Sequence, residues 1–176
     1  MKLFMSLLLV SLALTACDNS GSSKLNSVSD KTSSKIRTPM QAIEFTLPDL
    51  AGKPHSLNEY LEKGPVMLVF FTTWCPYCKK EIPIFKKIYQ QYSDKGLQLV
   101  AINAGLADSL ENAKRYALQY RLPYVVLYDA DARISAQYGL QSVPKIFYIQ
   151  QNGKITSYSR KMDMKAVSSL LQHSQR

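Results

Sequence analysis

Apolar and polar residues follow two different patterns along this chain, and together they divide most of it into strands and helices. The continuous apolar run at 66–71 indicates a strand buried on both faces, whereas the alternation at 43–47 indicates a half-buried strand. Capping signals, such as Ser56 with Glu59, indicate where helices begin. The predicted strands are 43–47, 66–72, 97–103, 124–128, 146–149 and 155–158, and the predicted helices are 57–61, 76–93, 109–121, 132–138 and 163–172. This order predicts an α/β fold with a central mixed sheet and helices on both faces.

A pair of cysteines lies where the strand at 66–72 gives way to the helix at 76–93. The N–H groups and partial positive charge of a helix N-terminus stabilise a thiolate, so Cys75 is expected to be acidic and nucleophilic. The two-residue spacer lets Cys78 reach Cys75 and close a redox disulfide. The pair therefore indicates thiol–disulfide exchange.

Two other interpretations of the cysteine pair have less support. Zinc usually has four nitrogen or sulfur ligands, but the chain has three cysteines and two histidines, and neither His55 nor His173 lies at a ligand spacing. A purely structural disulfide normally joins distant segments, because a short loop restricts the unfolded chain least. We therefore expect neither a metal nor another cofactor.

The N-terminal segment has the pattern of an export signal. The apolar stretch at 3–14 has the length of a signal-peptide core and is too short for a comfortable transmembrane helix. It ends at 14–17 in Leu-Thr-Ala-Cys, which resembles a bacterial lipobox. The resemblance implies cleavage after Ala16 and a lipid on Cys17, and an ordinary secretory signal is the alternative. Asp18 resembles the residue that keeps lipoproteins in the inner membrane, which indicates its periplasmic face.

Segment 17–40 is rich in Ser, Lys, Asn and Thr and is predicted to be a flexible tether, because its composition cannot bury a core. The expected organisation is a signal peptide at 1–16, this lipidated tether, and one folded domain at 41–176. The whole chain of 176 residues carries 22 Lys and Arg against 13 Asp and Glu, a net charge of +9. The export signal and the lack of a basic block with interleaved aromatics argue against nucleic acid. An anionic membrane surface, acidic partner proteins or a merely solvated basic surface remain open.

Several blocks resemble, in the right order, the thioredoxin superfamily and its TlpA/ResA-like branch of membrane-anchored bacterial oxidoreductases. The resemblance covers about 40–172 and rests on the blocks at 45–53, 73–83, 138–144 and 152–155. It implies a thioredoxin fold with an N-terminal extension. Segment 104–124 looks like the strand–helix insertion of this branch.

The resemblance also assigns roles to individual residues. It implies that Pro144 is cis and faces the disulfide, and that the backbone of Val143 pairs with a substrate strand; a trans proline that starts a strand is the alternative. Glu81, three residues after Cys78, matches a glutamate implicated in proton handling; a solvated helix residue is the alternative. The buried aspartate of plain thioredoxin is replaced here by Val69.

The residues around the first cysteine complete the expected substrate-binding surface. Trp74 is expected to shield the cysteines, Pro76 to occupy the first turn of the helix, and Tyr77 to contact partners from its exposed tip, together with Val143 and Pro144.

The expected activity is exchange of the Cys75/Cys78 dithiol with disulfides in partner proteins, in the reducing direction. The resemblance implies apocytochrome c and other envelope proteins as substrates, and an integral membrane thiol carrier as electron donor. A disulfide oxidase or isomerase is an alternative. A peroxiredoxin-like peroxide reductase is another, although its threonine and proline pattern is incomplete here. A copper chaperone would need a longer cysteine spacer and a distal histidine.

Overall fold

Six strands form a mixed sheet at the centre of the domain. The computed structural model describes residues 40–173, and its elements are β1 (Met40–Gln41), β2 (Thr46–Pro48), β3 (Pro54–Ser56), α1 (Leu57–Leu61), β4 (Val66–Phe71), α2 (Pro76–Tyr92), β5 (Gln98–Asn103), α3 (Leu110–Tyr120), β6 (Val125–Tyr128), α4 (Arg133–Gln137), β7 (Lys145–Ile149), β8 (Lys154–Ser159) and α5 (Met164–His173). The sheet order is β1-β8-β7-β4-β5-β6, and β2 pairs with β3 in a separate ladder. β4, β5 and β6 are parallel, whereas β7 runs antiparallel to β4 and β8.

β4 is the central strand, and all six of its residues are buried. Its side chains point alternately to opposite faces of the sheet. Val69 and Phe71 pack with apolar side chains of α2, α3 and α5 on one face. Leu68 and Phe70 pack with α1, α4 and the β2 strand on the other. The predicted mixed sheet with helices on both faces is confirmed. Every residue of the strand at 66–71 is apolar because both faces of the sheet are covered there.

The N-terminal part of the domain differs from the predicted strand at 43–47. The ladder begins only at Thr46 and includes Pro48, which pairs with Pro54 of β3. Phe45 is buried, but Ile43 is 37% exposed, so the alternation that suggested a strand marks an irregular segment. β3 was not predicted, because Pro-His-Ser carries no apolar alternation.

The sheet also reaches one residue into the predicted tether. Met40, the last residue of the predicted 17–40 segment, pairs with Ile155 in the ladder between β1 and β8. The predicted signal peptide, the lipidation site at Cys17 and the rest of that segment lie outside the described residues. Between 40 and 173, none of the helices combines the length and the apolar character that a membrane span requires.

The segment at 104–124 was expected to be a strand–helix insertion, but it contains only the helix α3 and no strand; β6, at the sheet edge, begins after it at Val125. α3 begins as predicted, because the hydroxyl of Ser109 accepts a hydrogen bond from the N–H of Asn112 at 3.1 Å. The loop that precedes α3 lies beside the cysteine pair, as described below.

Candidate active site

The first cysteine caps the helix that follows the central strand. β4 ends at Phe71, and Cys75 is the N-cap of α2. Its Sγ accepts a hydrogen bond from the N–H of Cys78 at 3.1 Å. Pro76 occupies the first helical position, where the lack of an N–H leaves no donor unpaired. The sulfur of Cys75 therefore lies at the positive end of the helix dipole, where the spacing predicted it.

The loop before β7 lies against this sulfur. The Val143–Pro144 peptide bond is cis, as the resemblance implied. The Cys75 thiol donates to the carbonyl of Val143, with 3.5 Å between sulfur and oxygen. The sheet makes this contact possible, because Lys145 at the start of β7 pairs with Phe70 near the end of β4. Two segments almost 70 residues apart in sequence thus meet at one sulfur.

The second cysteine is held as a neutral thiol. Cys75 and Cys78 are both free thiols and both only 2% exposed. Burial raises the pKa of Cys78 well above its ordinary value, and the hydrogen bond with the Cys75 sulfur raises it further. Cys78 must therefore lose a proton before it can act as a nucleophile.

A small, mainly apolar cavity lies beneath Cys78. Val69, at the position of the buried thioredoxin aspartate, lines it together with Tyr116 of α3. The Tyr116 hydroxyl is buried and has no hydrogen-bond partner in the part of the chain that the structure describes. Burial raises the pKa of Tyr116 well above its ordinary value. Tyr116 was not predicted as a site residue, because nothing in the sequence pattern of α3 distinguishes it from an ordinary core aromatic.

Glu81 lies on the same helix as Cys78, but its carboxylate contacts the loop before α5 rather than a cysteine. Its carboxylate is half-buried and accepts a hydrogen bond from the N–H of Met162 at 3.1 Å. It lines an open groove together with Val143 and Pro144. Among the described contacts, no hydrogen bond joins it to either sulfur, and its role in proton handling stays a prediction.

The two aromatic residues beside the cysteines are exposed. Trp74 is 54% and Tyr77 is 65% exposed, so both are available to a partner. The indole N–H of Trp74 donates to the carbonyl of Leu106 at 2.9 Å, which fixes the ring against the loop before α3. The ammonium group of Lys80 lies 5.6 Å from the centre of the Tyr77 ring.

Asp108 is a site residue that the sequence analysis missed. Its carboxylate accepts hydrogen bonds from the N–H of Thr73 at 2.6 Å and from the Thr73 hydroxyl at 2.8 Å. It also accepts from the side-chain amide of Asn103 at 2.9 Å and from the N–H of Ser109 at 3.0 Å. Thr73 is two residues before Cys75, and Asn103 is the last residue of β5. The hydrogen bonds of Asp108 therefore hold the loop before Cys75 against the end of β5. An aspartate in a loop before a helix is a common feature of helix N-termini. No local sequence pattern indicates that Asp108 pairs with Thr73.

Within residues 40–173, no three His, Cys, Asp or Glu side chains lie close enough together to hold a metal ion. His55 instead contacts the carboxylate of Asp49 at 3.2 Å and the hydroxyl of Tyr60 at 3.0 Å. These contacts join the β2–β3 hairpin to α1.

A helix-capping dithiol beside a cis-proline loop, on this sheet, is the arrangement of thioredoxin-fold thiol–disulfide oxidoreductases, and comparison with known proteins agrees. The model of the AhpC/TSA family matches residues 39–158. This match covers more than half of the chain, so the protein belongs to the AhpC/TSA family.

The chain is similar to two proteins named thiol-disulfide oxidoreductase ResA. It is 33% identical to the protein from Geobacillus thermodenitrificans over 65% of this chain and 64% of that one. It is 34% identical to the protein from Bacillus thuringiensis subsp. konkukian over 69% of this chain and 68% of that one. The chain thus spans about two thirds of the length of these relatives.

A solved structure shows the same fold. The thioredoxin domain of a thiol-disulfide oxidoreductase from Bacteroides vulgatus superposes with a TM-score of 0.68 at 22% identity, over 78% of this chain and 97% of that one. At this identity the likeness concerns the fold alone. Fold, site and relatives together define the protein as an enzyme of the thiol–disulfide oxidoreductase class.

Proposed function

We propose that this protein is an envelope reductase that transfers two electrons from the Cys75/Cys78 dithiol to disulfides in partner proteins. The observation that carries the proposal is the contact between the Cys75 thiol and the carbonyl of Val143 beside the cis Pro144. A partner strand that pairs with the backbone of Val143 brings its own disulfide next to the Cys75 sulfur.

The reaction takes place in two exchange steps. Cys75, as a thiolate, attacks one sulfur of the partner disulfide; a Cys75–partner bond forms, the partner S–S bond breaks, and the second partner sulfur leaves as a thiolate. Cys78 then loses its proton and attacks the Cys75 sulfur, which releases the first partner sulfur. The partner is reduced by two electrons, and the enzyme is left with the Cys75–Cys78 disulfide.

The different environments of the two sulfurs support this order. The Cys75 sulfur accepts a hydrogen bond from the N–H of Cys78 at the helix N-terminus and lies against the carbonyl of Val143, where a partner strand would pair. The raised pKa of Cys78, due first to burial, keeps it protonated and prevents it from competing in the first step. We assign Glu81, three residues after Cys78 on α2, as the group that receives the Cys78 proton after a shift from its contact with Met162.

The proposed location is the periplasmic face of the inner membrane, with a lipid on Cys17 as the anchor. The lipobox-like segment at 14–17 and Asp18 support this location. A lipid-anchored reductase outside the cytoplasm needs a source of electrons, for which we propose an integral membrane thiol carrier. Proteins with oxidised cysteine pairs, including apocytochrome c before haem attachment, are the proposed substrates.

The reduction potential of the Cys75/Cys78 pair tests the direction of exchange. The full-length protein is equilibrated with glutathione buffers of known ratio, and the oxidised fraction is followed by the fluorescence of Trp74, the single tryptophan of the chain. A potential of about −250 mV or lower, as in thioredoxin, supports a reductase. A potential near about −120 mV, as in the oxidant DsbA, contradicts it and indicates disulfide formation.

A further inference from the structure

An open groove lies beside the loop that contacts the reactive sulfur. It lies between the first turns of α2, the loop before β7 and the end of β8, and Tyr77, Val143 and Arg160 are among its lining residues. Val143 lines the groove and its carbonyl also accepts the Cys75 hydrogen bond. A partner segment in the groove therefore lies next to the sulfur that attacks its disulfide.

The rim of this groove is basic. Lys80, Arg160 and Lys161 line it, and all three are exposed. Between residues 40 and 173, none of the three forms an ion pair with a carboxylate of the chain. The groove contains one carboxylate among its described lining residues, that of Glu81, which already accepts a hydrogen bond from Met162. Three cations against one carboxylate leave the described lining of the groove with a net positive charge.

We infer that the groove selects partner segments that carry acidic residues close to their disulfide. The inference rests on the proposed function and adds the class of substrate. Unpaired cations beside a binding site speed the encounter with acidic partners and slow the encounter with basic ones. Because each exposed ion pair contributes little by itself, the preference arises in association rather than in the exchange chemistry. The exposed ring of Tyr77, next to Lys80, adds an apolar contact for the same segment.

An acidic peptide fits this surface better than a lipid headgroup. The cations do not form a separate patch on a face remote from the cysteines, but share one groove with the backbone of Val143 and with Pro144. A membrane bound across the groove would cover the approach to Cys75.

The test compares two disulfide-bonded peptides of identical length that differ only in carrying Asp or Lys on both sides of the cysteines. The reduced full-length protein is mixed with each peptide, and exchange is followed by Trp74 fluorescence. We expect the second-order rate constant of this single exchange to be about tenfold higher for the acidic peptide at low salt, on the order of what three weak ion pairs provide. The ratio should fall towards one at about 0.5 M salt, where screening is strong.

Charge reversal identifies the residues responsible. The triple variant Lys80→Glu, Arg160→Glu and Lys161→Glu should invert the preference, and the single variant Arg160→Glu should reduce it. The matched control is Lys87→Glu, Lys154→Glu and Lys165→Glu, which changes net charge equally at exposed positions outside the groove and should keep the preference.

Three results would overturn the inference. One is equal rates for both peptides with the unchanged protein, and another is an equal loss of preference in the control triple variant. The third is equal rates combined with inhibition by anionic phosphatidylglycerol vesicles, which would assign the basic rim to a lipid surface. A small uncharged disulfide separates the two proposals: if the unchanged protein reduces neither it nor the peptides, the proposed function itself fails.

Discussion

Replacement of Asp108 tests how the loop before Cys75 is held in place. The Asp108 carboxylate joins this loop, through Thr73, to Asn103 at the end of β5. Asp108→Ala removes every one of these acceptor oxygens without adding bulk. The amide of Asn103 then loses its partner, and the loop loses its attachment to the sheet.

The expected loss follows from the surroundings of each donor. Asn103 is completely buried, and a buried donor left without a partner costs about 1–3 kcal/mol. Thr73 is half-buried and can bond to water instead, so its two hydrogen bonds together contribute about 1 kcal/mol more. The free energy of unfolding should therefore fall by about 2–4 kcal/mol at pH 7.

The same carboxylate predicts a pH dependence. Burial alone would raise the pKa of Asp108, but the hydrogen bonds from Thr73, Asn103 and Ser109 outweigh it and hold the pKa below the ordinary aspartate value. A pKa lowered by folding stabilises the protein above the unfolded pKa of about 3.9, and this contribution is lost as the pH falls through the folded value. The difference between the unchanged protein and Asp108→Ala should thus be constant near neutral pH and shrink below about pH 4.

Urea unfolding at pH 7 and at several acidic pH values measures both effects. Asp94→Ala is the control, since Asp94 is exposed and its side chain has no hydrogen bond among the described contacts; it should change the free energy of unfolding by less than about 0.5 kcal/mol. A loss for Asp108→Ala no larger than that of the control would refute the reasoning. The reasoning would also be refuted if the difference in unfolding free energy between the unchanged protein and Asp108→Ala increased at acidic pH.

Two further substitutions test the packing around the site. Tyr116→Phe should leave the free energy of unfolding unchanged or raise it by about 1 kcal/mol, because it removes a buried hydroxyl without a partner among the described residues. A decrease of more than about 1 kcal/mol, measured by urea unfolding, would mean that the hydroxyl is paired. Gly105→Ala should cost at least about 2 kcal/mol, because Gly105 has a φ of +66° and its new Cβ would lie 2.1 Å from the carbonyl oxygen of Asp129. Gly139→Ala is the control for Gly105→Ala. Gly139 has a φ of +60°, but no atom lies within 4 Å of the added Cβ, so backbone strain alone should cost about 1 kcal/mol. Equal losses of unfolding free energy in the two variants would contradict the predicted clash of the Gly105→Ala Cβ with Asp129.

Much of the fold follows from local signals in the sequence. The apolar run at 66–71 is a buried strand, and Ser56 and Ser109 cap helices as their spacing predicted. One exception is the predicted strand at 43–47, whose ladder begins only at Thr46. The others are β1 and β3, which are two and three residues long. They depend on pairing with segments that only the folded chain provides, so no hydrophobic period marks them.

The active site likewise has features that local sequence predicts and features that depend on distant contacts. The position of Cys75 at the start of α2 depends on neighbouring residues and could be predicted. The pairing of Asp108 with Thr73 spans 35 residues and depends on how the chain returns after β5. The placement of the Tyr116 hydroxyl under Cys78 likewise depends on how α3 packs on the sheet, and the engagement of Glu81 by Met162 depends on the loop before α5. Local pattern cannot encode such distant contacts.

The most direct test of the account is to identify the sulfur that a partner disulfide captures. Cys78→Ser and Cys75→Ser proteins are each mixed with a disulfide-bonded peptide, and the adducts are located by mass spectrometry after acid quenching. We predict that Cys78→Ser accumulates a mixed disulfide on Cys75, because the resolving thiol is missing, and that Cys75→Ser neither forms an adduct at comparable rate nor turns over. Full exchange activity in Cys75→Ser, or faster capture by Cys78 than by Cys75, would contradict the assignment of Cys75 as the nucleophile.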